Sequence, residues 1–287
     1  RSHRAAGCGA HLRSEERWRL VTVSMRVMSA GDGYKYLLRT VATCDGDRVL
    51  STPLTRYYTE EGTPPGRWLG SAVPALGGRT ITVGDEVSEL QLQRLIGQGR
   101  DPVTRQALGS PYRKYPTVTE RIEHRTLRLD ADLPVTERAD AVATIAAEES
   151  ARGVRKAVAG FDFTFSVPKS ASVLWAVSDA GTQSLIADAH HAAVAEMVAF
   201  IEREVAATRV GAAGRNGAVA QADVSGVIAT AFDHYDSRAG DPHLHTHVVI
   251  SNKVQTVHDG KWRSLDGRPL HAATVALSEL HEAVFAD

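Results

Sequence analysis

Apolar and polar residues alternate strictly through Phe161-Asp162-Phe163-Thr164-Phe165-Ser166-Val167, the period of a strand with one buried face. Pro168 closes that run. β-Branched, partly alternating stretches predict further strands over residues 20–28, 224–234 and 244–251. A longer period governs residues 178–208, where Ile186, Val194, Met197, Val198, Ile201 and Val205 line one side of an expected amphipathic helix. Residues 135–159 have the Ala/Glu-rich spacing of another helix, and a shorter one is expected over 87–96. Residues 171–177 are apolar throughout and fit either a strand or a helix. Ser29-Ala30-Gly31-Asp32 reads as a helix start, with Ser29 as cap and Asp32 reaching back, so a helix is expected over 31–43. Asn216-Gly217 and Asp259-Gly260 are hairpin turn signals, the second joining residues 253–257 to 261–265. Residues 45–80 and 100–116 read as connections. Several hairpins with a few long helices predict the α+β class: a central antiparallel sheet with helices packed mainly on one face.

Residues 1–20 are polar and without period, so they are expected to lie outside the fold as a leader, with residues 21–287 forming one domain. The helical pattern of residues 281–287 stops midway, which suggests a piece of a longer protein. With 43% hydrophobic and 23% charged residues, the chain can bury a core of that size. Cys8 and Cys44 are too few for a disulfide framework, which favours a reducing, cytoplasmic setting. No apolar run reaches the length of a membrane span, so no membrane insertion is expected. A net charge of −1 is low for a general nucleic-acid coat. If DNA is the partner, cations must be concentrated in a patch, and binding must weaken as salt rises.

The densest chemistry lies in His234-Tyr235-Asp236-Ser237-Arg238-Ala239-Gly240-Asp241-Pro242-His243-Leu244-His245-Thr246-His247, which holds four of the chain's twelve histidines. On a strand, His243, His245 and His247 point to one face, and neutral imidazole is a common ligand for divalent cations. Three side chains spread along ~13 Å of one strand converge poorly on a point. An adjacent pair with a third residue from a neighbouring strand converges better. His234 ends the preceding strand, and the loop through Gly240 and Pro242 brings the chain back beside it. The expected metal ligands are therefore His234, His245 and His247, with His243 the spare. Three ligands leave positions open for substrate and water, as catalysis requires. A chance cluster on a surface strand is the bland alternative, and the β-branched run Val248-Val249-Ile250 beside it argues against that.

The run from His234 through Pro242-His243-Leu244-His245-Thr246-His247 into Val248-Val249-Ile250-Ser251-Asn252 resembles the three-histidine motif of conjugative relaxases of the MobF class (the TraI and TrwC type), which are HUH endonucleases. The stretch Phe161-Asp162-Phe163-Thr164-Phe165-Ser166-Val167-Pro168-Lys169-Ser170-Ala171-Ser172 resembles the aspartate-bearing strand of that family. Tyr34, Tyr36 and the pair Tyr57-Tyr58, ahead of Gly66-Arg67-Trp68-Leu69-Gly70, resemble its tyrosine-rich segment. The resemblance implies that a tyrosine hydroxyl attacks a phosphate of single-stranded DNA at an origin of transfer, leaving a 5′-phosphotyrosine link and a free 3′-hydroxyl. It implies a divalent metal ion, Mg²⁺ or Mn²⁺ with Zn²⁺ as the alternative, that polarises the phosphate. Accessory relaxosome proteins, a coupling protein and a following helicase domain are implied for the full-length protein.

Within that resemblance, Asp162 is expected to accept the ring N–H of a ligand histidine and so fix its tautomer. Alternation alone would equally leave it on a solvated face with Thr164 and Ser166. A helix over 31–43 would set Tyr34 and Tyr36 about 200° apart, so only one faces the metal. Tyr34, on a stripe with Leu37, Leu38 and Val41, is the first expectation for the nucleophile; Tyr57 or Tyr58 follow, and Tyr36 comes last. Lys169, Arg238, Lys253, Arg67 and Arg56 are candidate phosphate contacts, though each is also the kind of charge a surface solvates. Trp68 and Trp262 are candidates to stack bases or simply to pack. A rolling-circle replication initiator would share the histidines but carry its tyrosine behind them, and no tyrosine follows His247. An inactive metal- or DNA-binding module is the remaining alternative.

Overall fold

The computed structural model describes residues 22–38, 64–211, 219–237 and 239–287. Six strands build one antiparallel sheet in the order β1–β4–β8–β7–β2–β3. They are β1 (Val23–Ser29), β2 (Gly66–Leu69), β3 (Glu86–Val87), β4 (Val158–Ser166), β7 (Ala229–Asp236) and β8 (Pro242–Ser251). Two hairpins accompany it: β5 (Ala207–Gly211) with β6 (Val219–Asp223), and β9 (Lys253–Gln255) with β10 (Trp262–Ser264). The helices are α1 (Glu89–Leu92), α2 (Val118–Thr126), α3 (Val135–Ala151), α4 (Lys169–Val177), α5 (Ala180–Phe200) and α6 (Gly267–Ala286). The molecule is of the α+β class that the alternation and hairpin signals predict.

Register decides which side chains share a face. One rung runs Arg26–Asp162–Val249–Thr230–Trp68, the next Ser24–Thr164–His247–Phe232, and a third Ser166–His245–His234. Because side chains alternate along a strand, these rungs all project from the same side. Phe161, Phe163, Phe165, Ala229, Ala231, Val248 and Ile250 project from the other. There α5 and α6 bury Val194, Met197, Val198, Leu270 and Leu277 against them. Each buried phenylalanine contributes roughly 1.5–3 kcal/mol relative to exposure. Among the described residues, α5 with its continuation to Val205 is the one helix long and apolar enough to cross a membrane, and it is packed on the sheet as a core helix. The histidine side is covered by short elements instead: Trp68, Val73, Leu76, Leu92, Leu95 and Ile96 close over Phe232, Ile228 and Val249.

Asp233 is a buried charge on the helix side. Asp233 accepts from Thr246 Oγ1 at 2.6 Å, its partner across β7 and β8, and pairs with Arg67 of β2 and with His191 of α5 at 3.0 Å. Thr246 Oγ1 also meets His190 Nε2 at 2.9 Å. Burial opposes ionisation of Asp233, but the His191 hydrogen bond and the Arg67 charge outweigh it and hold the carboxyl well below its ordinary range. The network ties three strands and a helix together directly behind His234, His245 and His247.

Several elements differ from the sequence expectation. Of the α-helix expected over 31–43, the described part, to residue 38, is a 3-10 helix over Asp32–Leu38, and Ser29 ends β1 instead of capping. Gly31, at φ +83°, makes the turn between them, a conformation that a side chain would strain. The helix expected over 135–159 stops at Ala151, and β4 already begins at Val158; Gly153, at φ +67°, breaks it. The helix expected to reach 208 loosens into a π turn over Ile201–Val205 and gives way to β5. Residues 171–177 are helical, within α4. Helix α2 was not anticipated, although its Thr117/Glu120 capping box is a sequence-level start signal. Asn216-Gly217 lies outside the described residues, but the strands it was expected to join do pair, Gly211 with Val219.

His190 and His281 are both buried between the sheet and α6, with ring centroids 5.4 Å apart. Burial pushes His281 down to about 4; burial, reinforced by His281, pushes His190 down to about 3. An unfolded histidine titrates near ~6.5. Below that pH the unfolded chain takes up protons that the folded one refuses, so this stability is complete above ~6.5 and declines toward pH ~4. His281→Phe keeps the ring against Phe165 and Phe285 and removes one titration. Urea unfolding of this variant should show a shallower acid decline, by on the order of 2 kcal/mol at pH ~4. Parallel curves for the two proteins would show that His281 does not carry the effect.

Candidate metal centre and its tyrosine

His234 on β7 faces His245 on β8, ring centroids 5.2 Å apart, and His247 lies one rung further, 4.9 Å from His234 and 5.3 Å from His245. One nitrogen from each ring lies within 4.8 Å of the others. Among the described residues this is the one group of three or more histidine, cysteine or acidic donors close enough to hold a metal ion. His243 projects from the same side of β8 but stacks on His245 at 4.7 Å and stays outside the group.

Each ring of the triad has a hydrogen bond that directs its second nitrogen. His247 Nδ1 lies 2.9 Å from Asp162 Oδ1, His245 Nδ1 donates to the His243 carbonyl at 2.7 Å, and the His234 ring bonds the Leu37 carbonyl. A neutral imidazole that donates from one nitrogen presents a lone pair on the other. Burial, then the neighbouring His247, pushes His234 down to about 4. Burial, together with His234 and against the His243 carbonyl bond, pushes His245 down to about 3. Both rings are therefore neutral near pH 7, the form that binds a cation.

Asp162 is 1% exposed, so it does not lie on a solvated face. Its second oxygen, Oδ2, accepts from the Tyr36 hydroxyl. The Tyr36 ring meets the His247 ring edge-on at 6.0 Å. Of the two candidates among the described residues, the structure brings Tyr36 and not Tyr34 to the histidines. In a 3-10 helix residues three apart eclipse, so Tyr34 and Leu37 point the same way, and that way is the core. Tyr34 is 1% exposed; Tyr36 is 37% exposed and reaches the histidines. The apolar stripe that recommended Tyr34 marks a core face. Tyr57 and Tyr58 lie outside the described residues. Burial and the Asp162 carboxylate push Tyr36 far above its ordinary value, and Arg26 pulls it the other way. Arg26 is exposed on β1, in register with Asp162. Sequence reasoning missed it because only strand pairing puts it there.

Three of the five expected phosphate contacts are engaged elsewhere. Lys169 bonds Asp241 and, at 2.7 Å, the Pro242 carbonyl, which holds the loop entering β8. Lys253 is buried, donates to the Ser110 carbonyl at 2.6 Å and covers the Tyr112 ring. Arg67 pairs with Asp233 on the helix side. Arg238 and Arg56 lie outside the described residues. Trp68 is fully buried, so it packs and offers no face to a base; Trp262 is half-buried against Gly109.

Comparison with protein families matches the family model "TrwC relaxase" over residues 30–287. Multifunctional conjugation protein TraI of Escherichia coli is 40% identical over 113 residues, 39% of this chain and 6% of that protein. Its counterpart from Escherichia coli strain K12 is 39% identical over 106 residues, 37% of this chain and 6% of that one. The aligned part is a small fraction of both relatives' length. Among solved structures, conjugative relaxase TrwC in complex with oriT DNA, copper-bound, has a TM-score of 0.56 and 23% identity, covering 92% of this chain and 68% of that chain. A metal-bound complex of TrwC with oriT DNA gives 0.55 and 22%, covering 92% and 68%. At such identity these structures establish the shared fold.

Calorimetric titration with Mn²⁺ tests the centre. Asp162→Asn should weaken binding by about 10–100-fold, the usual effect of removing a partner that orients a ligand, and His245→Ala by at least as much. His243→Ala should leave it unchanged. Equal affinities for wild type and His245→Ala would place the ion elsewhere.

Proposed function

Since this chain belongs to the TrwC relaxase family, we propose that it nicks one DNA strand at an origin of transfer with Tyr36 as nucleophile and His234, His245 and His247 as ligands of a divalent ion. The observation that carries the reading is the Asp162 carboxylate, shared between the Tyr36 hydroxyl and His247 Nδ1. A divalent ion held by the three histidines, Mg²⁺ or Mn²⁺ by preference for phosphate oxygens and Zn²⁺ by preference for imidazole, supplies polarisation of the phosphate.

The rest of the chemistry belongs to the chain. The Tyr36 hydroxyl is held un-ionised, so a proton acceptor must act as the oxygen attacks, and Asp162 is already in hydrogen-bond contact with that proton. The Tyr36 oxygen bonds to phosphorus, its proton passes to Asp162, and the bond from phosphorus to the 3′ oxygen breaks. The products are a 5′-phosphotyrosine and, after the 3′ oxygen takes up a proton, a 3′-hydroxyl. The reverse sequence rejoins a strand. Arg26, beside Asp162 and without a paired acid among the described residues, faces the charge that grows on the phosphate. The partners are single-stranded DNA of the origin and, for the whole protein, accessory relaxosome proteins and a coupling protein.

Covalent capture tests this. The protein is incubated with Mn²⁺ and single-stranded oligonucleotides tiled across the DNA beside its own gene, then digested and analysed by mass spectrometry. The nucleotide should be found on the Tyr36 peptide, be lost in Tyr36→Phe and persist in Tyr34→Phe. An adduct on Tyr57 or Tyr58 keeps the reaction and moves the nucleophile. No adduct on any tile, with metal bound, favours a binding module without activity. Arg26→Gln should slow adduct formation about 100-fold, with Arg26→Lys recovering part of the loss; an unchanged rate removes Arg26 from the mechanism.

A further inference from the structure

A net charge of −1 hides an uneven distribution. Helices α2 and α3 form a hairpin around Glu149, a buried carboxylate paired with Arg121, Arg125 and Arg152 together. The neighbouring acids are also taken: Glu148 pairs with Arg125, and Glu120 bonds the Thr117 backbone in the capping box. Just beyond them Arg113, Lys114, Arg155 and Lys156 are exposed, and among the described residues no acid pairs with any of the four. They come from two separate stretches that one aromatic ring brings together. The guanidinium of Arg113 stands 5.3 Å from the Tyr115 ring centroid, and that of Arg155 stands 4.8 Å from it.

This ledge adjoins the element that carries Tyr36. The Ala157 carbonyl accepts the Ala30 N–H at 2.9 Å, and Val158 pairs with Ser29, so residues 155–157 abut the junction between β1 and the 3-10 helix. From Val158 to Asp162 is ~13 Å of strand. A DNA strand held at Tyr36 and running along the β1 edge meets the ledge next. The guanidinium fork matches a phosphate, and guanidiniums already stacked on a ring lose less freedom when they grip one.

We infer that Arg113, Lys114, Tyr115, Arg155 and Lys156 form a second contact surface for single-stranded DNA, which grips backbone phosphates of nucleotides outside the tyrosine site. The inference rests on the nicking reading for its direction, since that reading brings the strand to Tyr36.

Salt dependence measured on a ladder of oligothymidylates of graded length tests it. On long strands the fourfold variant R113Q/K114Q/R155Q/K156Q should bind with a slope of log K against log salt shallower by about 2–3, at ~0.7 for each single-strand phosphate released. On strands too short to reach the ledge, the variant and wild type should coincide. Thermal melting should be unchanged, and R113K/R155K should keep the long-strand slope. Equal slopes on long strands, or a loss independent of length, overturn the inference. So does loss of binding to phosphatidylserine vesicles with DNA slopes unchanged, which would make the ledge a membrane contact. A length-dependent gap without any tyrosine adduct would sink the nicking reading and leave the ledge standing; an adduct without the gap would do the reverse.

Discussion

A carboxylate buried in the middle of a sheet must have its charge answered, and the site is organised around the answers given to Asp162. Removing an ionised group from water costs several kcal/mol unless partners restore the lost hydrogen bonds. Here one partner is the His247 ring and the other is the Tyr36 hydroxyl. The requirement that Asp162 be paired therefore fixes the ring of His247, and with it the direction of its second nitrogen. The same requirement holds the Tyr36 hydroxyl beside the histidines.

The two sides of the sheet repeat this logic with different results. On the helix side Asp233 is answered by Thr246, Arg67 and His191. On the histidine side three imidazoles converge with lone pairs turned toward one another. His234, His245 and His247 alternate along β7 and β8 with the residues of the buried network, so the network holds in register the strands that carry the triad. A slip of one residue would exchange the two faces.

Much of this was legible in the sequence. The alternation around Asp162 and the spacing of the histidines each have period two, a property of the backbone that survives whatever packs on it. Choosing His234, His245 and His247 over His243 needed only the geometry of adjacent strands. The placing of Tyr36 beside the histidines was not legible, because the 3-10 helix has a different angular step from the α-helix the pattern suggests, and Tyr34 on an apolar stripe is what a core residue looks like. The cations misled for another reason. Lys169, Lys253 and Arg67 are read from sequence as free charges, whereas the fold spends each on a carbonyl or a carboxylate. Arg26 becomes visible only when β1 is laid beside β4. The Arg113–Arg155 pair needs contact between segments some forty residues apart, which no local pattern records.

The 3-10 helix touches the site twice within two residues: Tyr36 through its side chain to Asp162, and Leu37 through its carbonyl to the His234 ring. A ligand of the centre and the tyrosine beside it are thus mechanically one unit. A shift of this segment would therefore be felt at the His234 ring and at the Tyr36 hydroxyl together. The short helix has in this sense the character of a latch with two handles.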